Sequence, residues 1–150
     1  MSMLMAPVDM LRLESVLLGP LEIRSDTVIT FPAGLPGFTA MRSFALVDTQ
    51  RDELVWLQSV DDPELAFLLA DPFTVVPGFE VDIPAPDLAA MSASGVRDAL
   101  LVLVVVQLEG GVPVAANLQS PMIIDRERRQ GRQVVLPDSD YSMHHPIAID

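Results

Sequence analysis

Four kinds of chemistry can be looked for among the residues of this chain. The first is acid–base work by Asp61 and Asp62 in "QSVDDPELAFLLADPF", Gln58 to Phe73. A carboxylate pair does such work only where burial or a neighbouring charge drives the two pKa values apart, whereas Asp-Asp-Pro is a turn signal that leaves both side chains in water. The second is metal binding by His144 and His145 with Asp138 and Asp140 close by, which would suit a small metal-dependent hydrolase or a sugar-binding β-barrel. Adjacent histidines on an extended segment point to opposite faces, and no third ligand stands at a metal-like spacing. The third is nucleophilic catalysis. The chain has no cysteine, and "SASG" at Ser92 to Gly95 lacks the first glycine of a Gly-x-Ser-x-Gly elbow. The fourth is phosphate binding, but the chain has no lysine for a P-loop and no dinucleotide fingerprint. No reaction class can be assembled, so the expectation is a binding protein that is not an enzyme and carries no cofactor.

Charge narrows the choice of partner. Twenty-one acids face nine bases, all arginine, for a net charge of -12. Such a surface repels phosphate backbones, so direct nucleic-acid binding is not expected, and it attracts a basic partner. From Asp61 to Asp98 eight acids meet Arg97 alone, so this quarter of the chain supplies most of the excess. A run of this kind is commonly a solvated face that keeps a protein soluble. Four arginines gather at "DRERRQGR", beside Asp125 and Glu127, and read as a hairpin tip rather than an RNA site.

The elements that must position these residues are short. Apolar segments of five to eight residues recur, each closed by Pro, Gly or Asp, which favours strands over long helices. The strands are expected near 27–31, 43–47, 53–59, 65–70, 79–83, 99–108, 112–118, 122–124 and 133–136. Thirteen prolines agree, since proline breaks helix interiors and sits readily between strands. The expected fold is all-β and mainly antiparallel, a small barrel-like domain with one or two short helices. One helix is expected at "PAPDLAAMSA" with Asp87 as its cap, and a second after "GLPGF". Gly110 and Gly111 between two β-rich runs signal a hairpin, and Gly131 is the expected left-handed residue of the next one. Residues 1–20 hint at helical periodicity and are expected to form a loosely attached N-terminal arm, with 21–150 as a single β domain. The longest apolar run, Ala99 to Val106, is too short to cross a bilayer as a helix. The opening "MSMLMAPVDMLRLE" lacks the basic start of a secretory signal. A cytoplasmic protein without membrane partners is the expectation.

Four phrases in order, "ITFPAGLPGF" (Ile29 to Phe38), "WLQSVDDPELAFLLADPF" (Trp56 to Phe73), "ANLQSPMIID" (Ala116 to Asp125) and "GRQVVLPDSDYSMHHPI" (Gly131 to Ile147), resemble the flagellar assembly factor FliW family. The resemblance runs from about Thr27 to Ile147. It implies a small cytosolic β-barrel-like protein that binds flagellin and, alternatively, the RNA-binding translational regulator CsrA. Sequestering CsrA relieves its repression of flagellin translation, and new flagellin in turn occupies the FliW-type protein. The acidic-aromatic stretch "ADPFTVVPGFEVDIP" then becomes the expected partner surface, with Asp71, Phe73, Phe79, Glu80 and Asp82 as its residues. On a strand from Phe79 to Ile83, Glu80 and Asp82 would share one face and Phe79, Val81 and Ile83 the other. Phe73 and Phe79 fit core positions as well as exposed ones, and Asp71 before Pro72 fits a turn, which leaves Glu80 and Asp82 as the principal candidates.

Overall fold

Short strands, most of four to six residues and bounded by turn residues, organise the described part of the chain. A computed structural model describes residues 9–91, 100–136 and 140–149. In chain order the elements are β1 (Met10–Ser15), β2 (Gly19–Arg24), β3 (Val28–Thr30), β4 (Ser43–Asp48), β5 (Leu54–Ser59), β6 (Ala66–Ala70), α1 (Pro72–Val75), α2 (Ala85–Ala90), β7 (Leu100–Glu109), β8 (Val112–Ala116), β9 (Met122–Asp125), β10 (Gln130–Gln133) and β11 (His145–Pro146). Strands β7-β6-β5-β4-β3-β10-β9 follow one another, and β9 pairs back onto β7, so seven strands close a barrel. Every pairing in the ring is antiparallel except β3 with β10. Closure removes the open edges that would otherwise invite aggregation.

The long strand β7 makes closure possible. Its first half, Leu100 to Leu103, pairs with β9; Val104 and Val105 pair with β6; and its last residues leave the ring to carry β8. Register shifts between Gln107 and Leu108, and such an irregularity bends the strand away from the barrel. The turn to β8 is Gly110–Gly111, with φ of 58° and 80°. Positive φ at both central residues is the backbone that matches strand twist in a two-residue hairpin.

Strand side chains alternate between two faces, and here both faces of β6 and β7 are covered. Leu69 and Leu103 join Ile29, Phe31, Phe44, Leu57 and Ile124 in one core. Their neighbours Leu68 and Val104 join Val76, Phe79 and Leu118 in a second cluster. This explains the unbroken apolar runs "AFLLA" and "LLVLVVV", which an alternating half-buried strand would not have. A third cluster packs Met91 against Ile123, Val134 and Leu136.

Several expectations are corrected. No strand forms over residues 79–83. No helix follows Phe38; residues 35–38 form a turn closed by a bridge between Leu35 and Phe38. Asp87 lies in the first turn of α2 and does not cap it; the N-cap is Pro84, which offers no side-chain cap bond, and Pro86 stands in the first turn, where its missing N–H leaves no helical bond unmade. The left-handed residue of the β9–β10 turn is Arg129 (φ 52°), not Gly131. β10 ends at Gln133 instead of beginning there, and 134–136 run beside 119–121 through hydrogen bonds from Val134 N to Pro121 O and Leu136 N to Gln119 O. α1 stands where only a turn was expected. Residues 10–24 form a two-stranded hairpin rather than a helix, and the expected division after residue 20 falls inside β2. Val16 N donates to Pro63 O at 2.9 Å, joining this hairpin to the β5–β6 turn.

Candidate partner-binding surface

The path from β6 to α2 first turns through α1 and then runs, outside any strand ladder, over the second core cluster, in which Phe79 is buried and against which Val81 packs. Asp71 caps α1: its Oδ1 accepts from Phe73 N at 3.0 Å and its Oδ2 from the Thr74 hydroxyl at 3.0 Å. Pro72 at the first helical position is buried and needs no amide partner. The cap thereby fixes how Phe73 is presented, 51% exposed. Its ring meets Phe79 edge-on, centroids 5.4 Å apart at 70°. Phe79 itself is buried and lies against Tyr141 with centroids 4.9 Å apart. Glu80 N donates to the Tyr141 hydroxyl at 2.9 Å. Beyond it Glu80 and Asp82 are exposed, while Val81 and Ile83 turn toward the clusters beneath.

The five candidate residues therefore sit together but in different ways. Glu80, Asp82 and Phe73 face solvent, Phe79 is a core aromatic supporting Phe73, and both carboxylate oxygens of Asp71 are engaged in the cap. Asp87 extends the same segment and accepts from Arg132 Nε at 2.8 Å, holding α2 against β10. That contact turns one arginine of the basic hairpin toward the acidic segment. At the hairpin's base, buried Asp125 uses Oδ1 to accept from Glu127 N and Arg128 N, an ordinary Asx turn. Away from this surface, the Arg24 side chain donates to both Asp26 oxygens, which holds the Asp26 carboxyl below its usual value and raises Arg24.

The other candidates are placed as follows. Asp61 is exposed and Asp62 half-buried in a turn built by its neighbours: Ser59 Oγ accepts from the amides of both aspartates, and buried Gln58 donates to the carbonyls of Ser59, Asp62 and Leu65. Asp62 Oδ1 accepts from Glu64 N at 2.9 Å. Asp138 and residues 92–95 lie outside the described residues. Asp140 is exposed. His144 Nδ1 is 3.1 Å from Gln107 Oε1, and His145 pairs with Ala116 in β11. Among the described residues no three His, Cys, Asp or Glu side chains come together to hold a metal ion. A cleft of about 250 Å³ is lined by Pro32, Ala33, Ala90 and Met91 with Gln130, Gly131 and Arg132 of β10. No helix among the described residues is long and apolar enough to cross a membrane.

Sequence reasoning missed Tyr141. Nothing local marks it, since its partner lies 61 residues earlier.

A seven-stranded barrel carrying an acidic-aromatic segment outside it can be compared with known proteins. The sequence model described as "FliW protein" matches residues 12–147. The chain belongs to the FliW family. A flagellar assembly factor FliW of Treponema denticola is 35% identical over 130 residues, covering 87% of this chain and 88% of that protein. One of Natranaerobius thermophilus is 34% identical over 134 residues, covering 88% and 89%. A solved structure, described as the crystal structure of the flagellar assembly factor FliW, superposes with a TM-score of 0.82 at 30% identity, over 90% of this chain and 95% of that one. The FliW match begins inside β1, so the hairpin at 10–24 falls largely within the family region, which reaches further back than Thr27. The four phrases that carry the FliW resemblance map onto β3 and its following loop, β5 to α1, β8 to β9, and β10 to β11.

Proposed function

We propose that this chain is a flagellar assembly factor that works in the cytoplasm as a non-enzymatic regulator, binding flagellin and antagonising CsrA so that flagellin translation follows flagellin supply. The observation that carries the reading is the exposed ridge of Glu80 and Asp82 beside Phe73, on a member of the FliW family. Its chemistry suits a basic protein: carboxylates steer the encounter and one aromatic ring supplies an apolar anchor. Binding of flagellin and of CsrA is mutually exclusive in this scheme, so free flagellin releases CsrA to repress and scarce flagellin leaves CsrA sequestered.

Titration calorimetry with purified flagellin and with CsrA, at low and high ionic strength, tests it. The double variant Glu80→Lys/Asp82→Lys is expected to weaken CsrA binding about tenfold, and what remains should depend less on salt, because rim charges act through screened long-range attraction. Unchanged affinity in the double variant would place the surface elsewhere. A wild-type chain that binds neither protein would refute the function.

A further inference from the structure

The acidic ridge has little backbone support of its own. Phe79 N donates to Val76 O at 3.1 Å and Asp87 N to Pro84 O at 3.0 Å, but between these two turns residues 79–84 belong to no strand ladder. An extended segment outside a ladder is held by what its side chains and few amides touch, and such segments open at lower free energy than sheet strands. Val81 and Ile83 rest on the clusters beneath, and a further touching group comes from the far end of the chain. Tyr141 places its ring on Phe79 and its hydroxyl oxygen on Glu80 N.

The segment that carries Tyr141 is itself held by β7, by β8 and by Leu118 just beyond β8. Leu118 N donates to Ser142 O at 3.0 Å, His144 Nδ1 lies 3.1 Å from Gln107 Oε1, His145 and Pro146 pair with Ala116 and Ala115, and Ile147 N donates to Val114 O at 3.1 Å. The ring stack Phe73–Phe79–Tyr141 thus runs from the exposed face of the ridge to a segment clamped on the sheet. We infer that Tyr141 is a positioning residue for partner binding: its hydroxyl fixes the backbone at Glu80, and so sets where the Glu80 and Asp82 carboxylates and the Phe73 ring stand, without touching the partner. The inference rests on the proposed use of this ridge.

Tyr141→Phe removes the acceptor and keeps the ring on Phe79. Amide hydrogen exchange at Glu80 should speed up in the free protein, whereas protection in β5 and β6 should be unchanged. Affinity for CsrA should fall about threefold to tenfold, the scale of one hydrogen bond's ordering effect. The salt dependence of binding should stay that of the wild type, because both carboxylates remain, in contrast to the flattened dependence of Glu80→Lys/Asp82→Lys. A purely structural role would lower the melting temperature without this selective loss. Tyr141→Ala, which also takes away the ring, should weaken binding further. Unchanged exchange at Glu80 would overturn the tether, and wild-type affinity in Tyr141→Phe would overturn its role in binding. A wild-type chain that binds neither partner would refute the reading of the ridge, and this inference with it.

Discussion

Replacing Gly131 by alanine tests how tightly the barrel is closed. Gly131 sits in β10, and a Cβ there would stand 2.5 Å from Cε2 and Cζ of Phe31 and 3.0 Å from its Cδ2. Carbon atoms in contact prefer roughly 3.5–4.0 Å, so the ring would have to move by about 1 Å. It has nowhere easy to go: Phe31 is fully buried and packs edge-on against Phe44 at 5.4 Å. Overpacking of this kind costs about 1–3 kcal/mol. Gly131 does not have positive φ, so alanine is conformationally acceptable there and recovers about 0.4–1 kcal/mol by restricting the unfolded chain. The clash wins. A net loss of about 1–2 kcal/mol follows, which lowers Tm by about 2–8 °C for a chain of this size. Thermal and urea unfolding measure it. The cause is checked by a double-mutant cycle with Phe31→Leu, whose smaller side chain leaves room for the new methyl, so the combined loss should fall short of the sum by about 1 kcal/mol. Wild-type stability in Gly131→Ala, or strict additivity with Phe31→Leu, would refute the packing argument.

Gly34→Ala should be costlier, about 2–4 kcal/mol by urea unfolding, because its Cβ would meet the Thr39 backbone at 2.7 Å and its φ of 68° is a left-handed conformation; a loss smaller than that of Gly131→Ala would contradict this. For pH, the Arg24 hydrogen bonds lower the folded pKa of Asp26, so the stabilisation this pair supplies is complete above the ordinary carboxylate pKa and fades as pH falls through the lowered one. The pair is exposed and the effect small. The gap in urea midpoint between wild type and Asp26→Asn should therefore be present at neutral pH and close under strongly acidic conditions, and a constant gap would rule out the ion pair as its source.

The FliW reading was legible because its phrases encode turns and buried strand pairs whose chemistry is local. "QSVDDPEL" became a turn because Ser59, Asp62 and Gln58 satisfy backbone groups a few residues away. The same locality makes Asp71-Pro72 a helix start, although a bare turn was the reading. The ridge was only half legible. Alternation in "FEVDI" correctly separates Glu80 and Asp82 from Phe79, Val81 and Ile83, but period two reports which side is buried and says nothing of a pairing partner, and among the described residues this segment has none in a ladder.

What the chain's own order of residues determined is the all-β character with strands near β3 to β9, the Gly110–Gly111 turn and the surplus of carboxylates between β5 and β7, since propensity, turn geometry and charge act between near neighbours or need no partner at all. Tertiary structure alone decided the rest. Closure of β7 on β9, the packing of Gly131 against Phe31, the opposite fates of Phe73 and Phe79, and the reach of Tyr141 to Glu80 all join residues far apart in the chain. A glycine in a hairpin looks the same whether it turns the backbone or makes way for a ring, and only the arrival of that ring from a distant strand distinguishes the two.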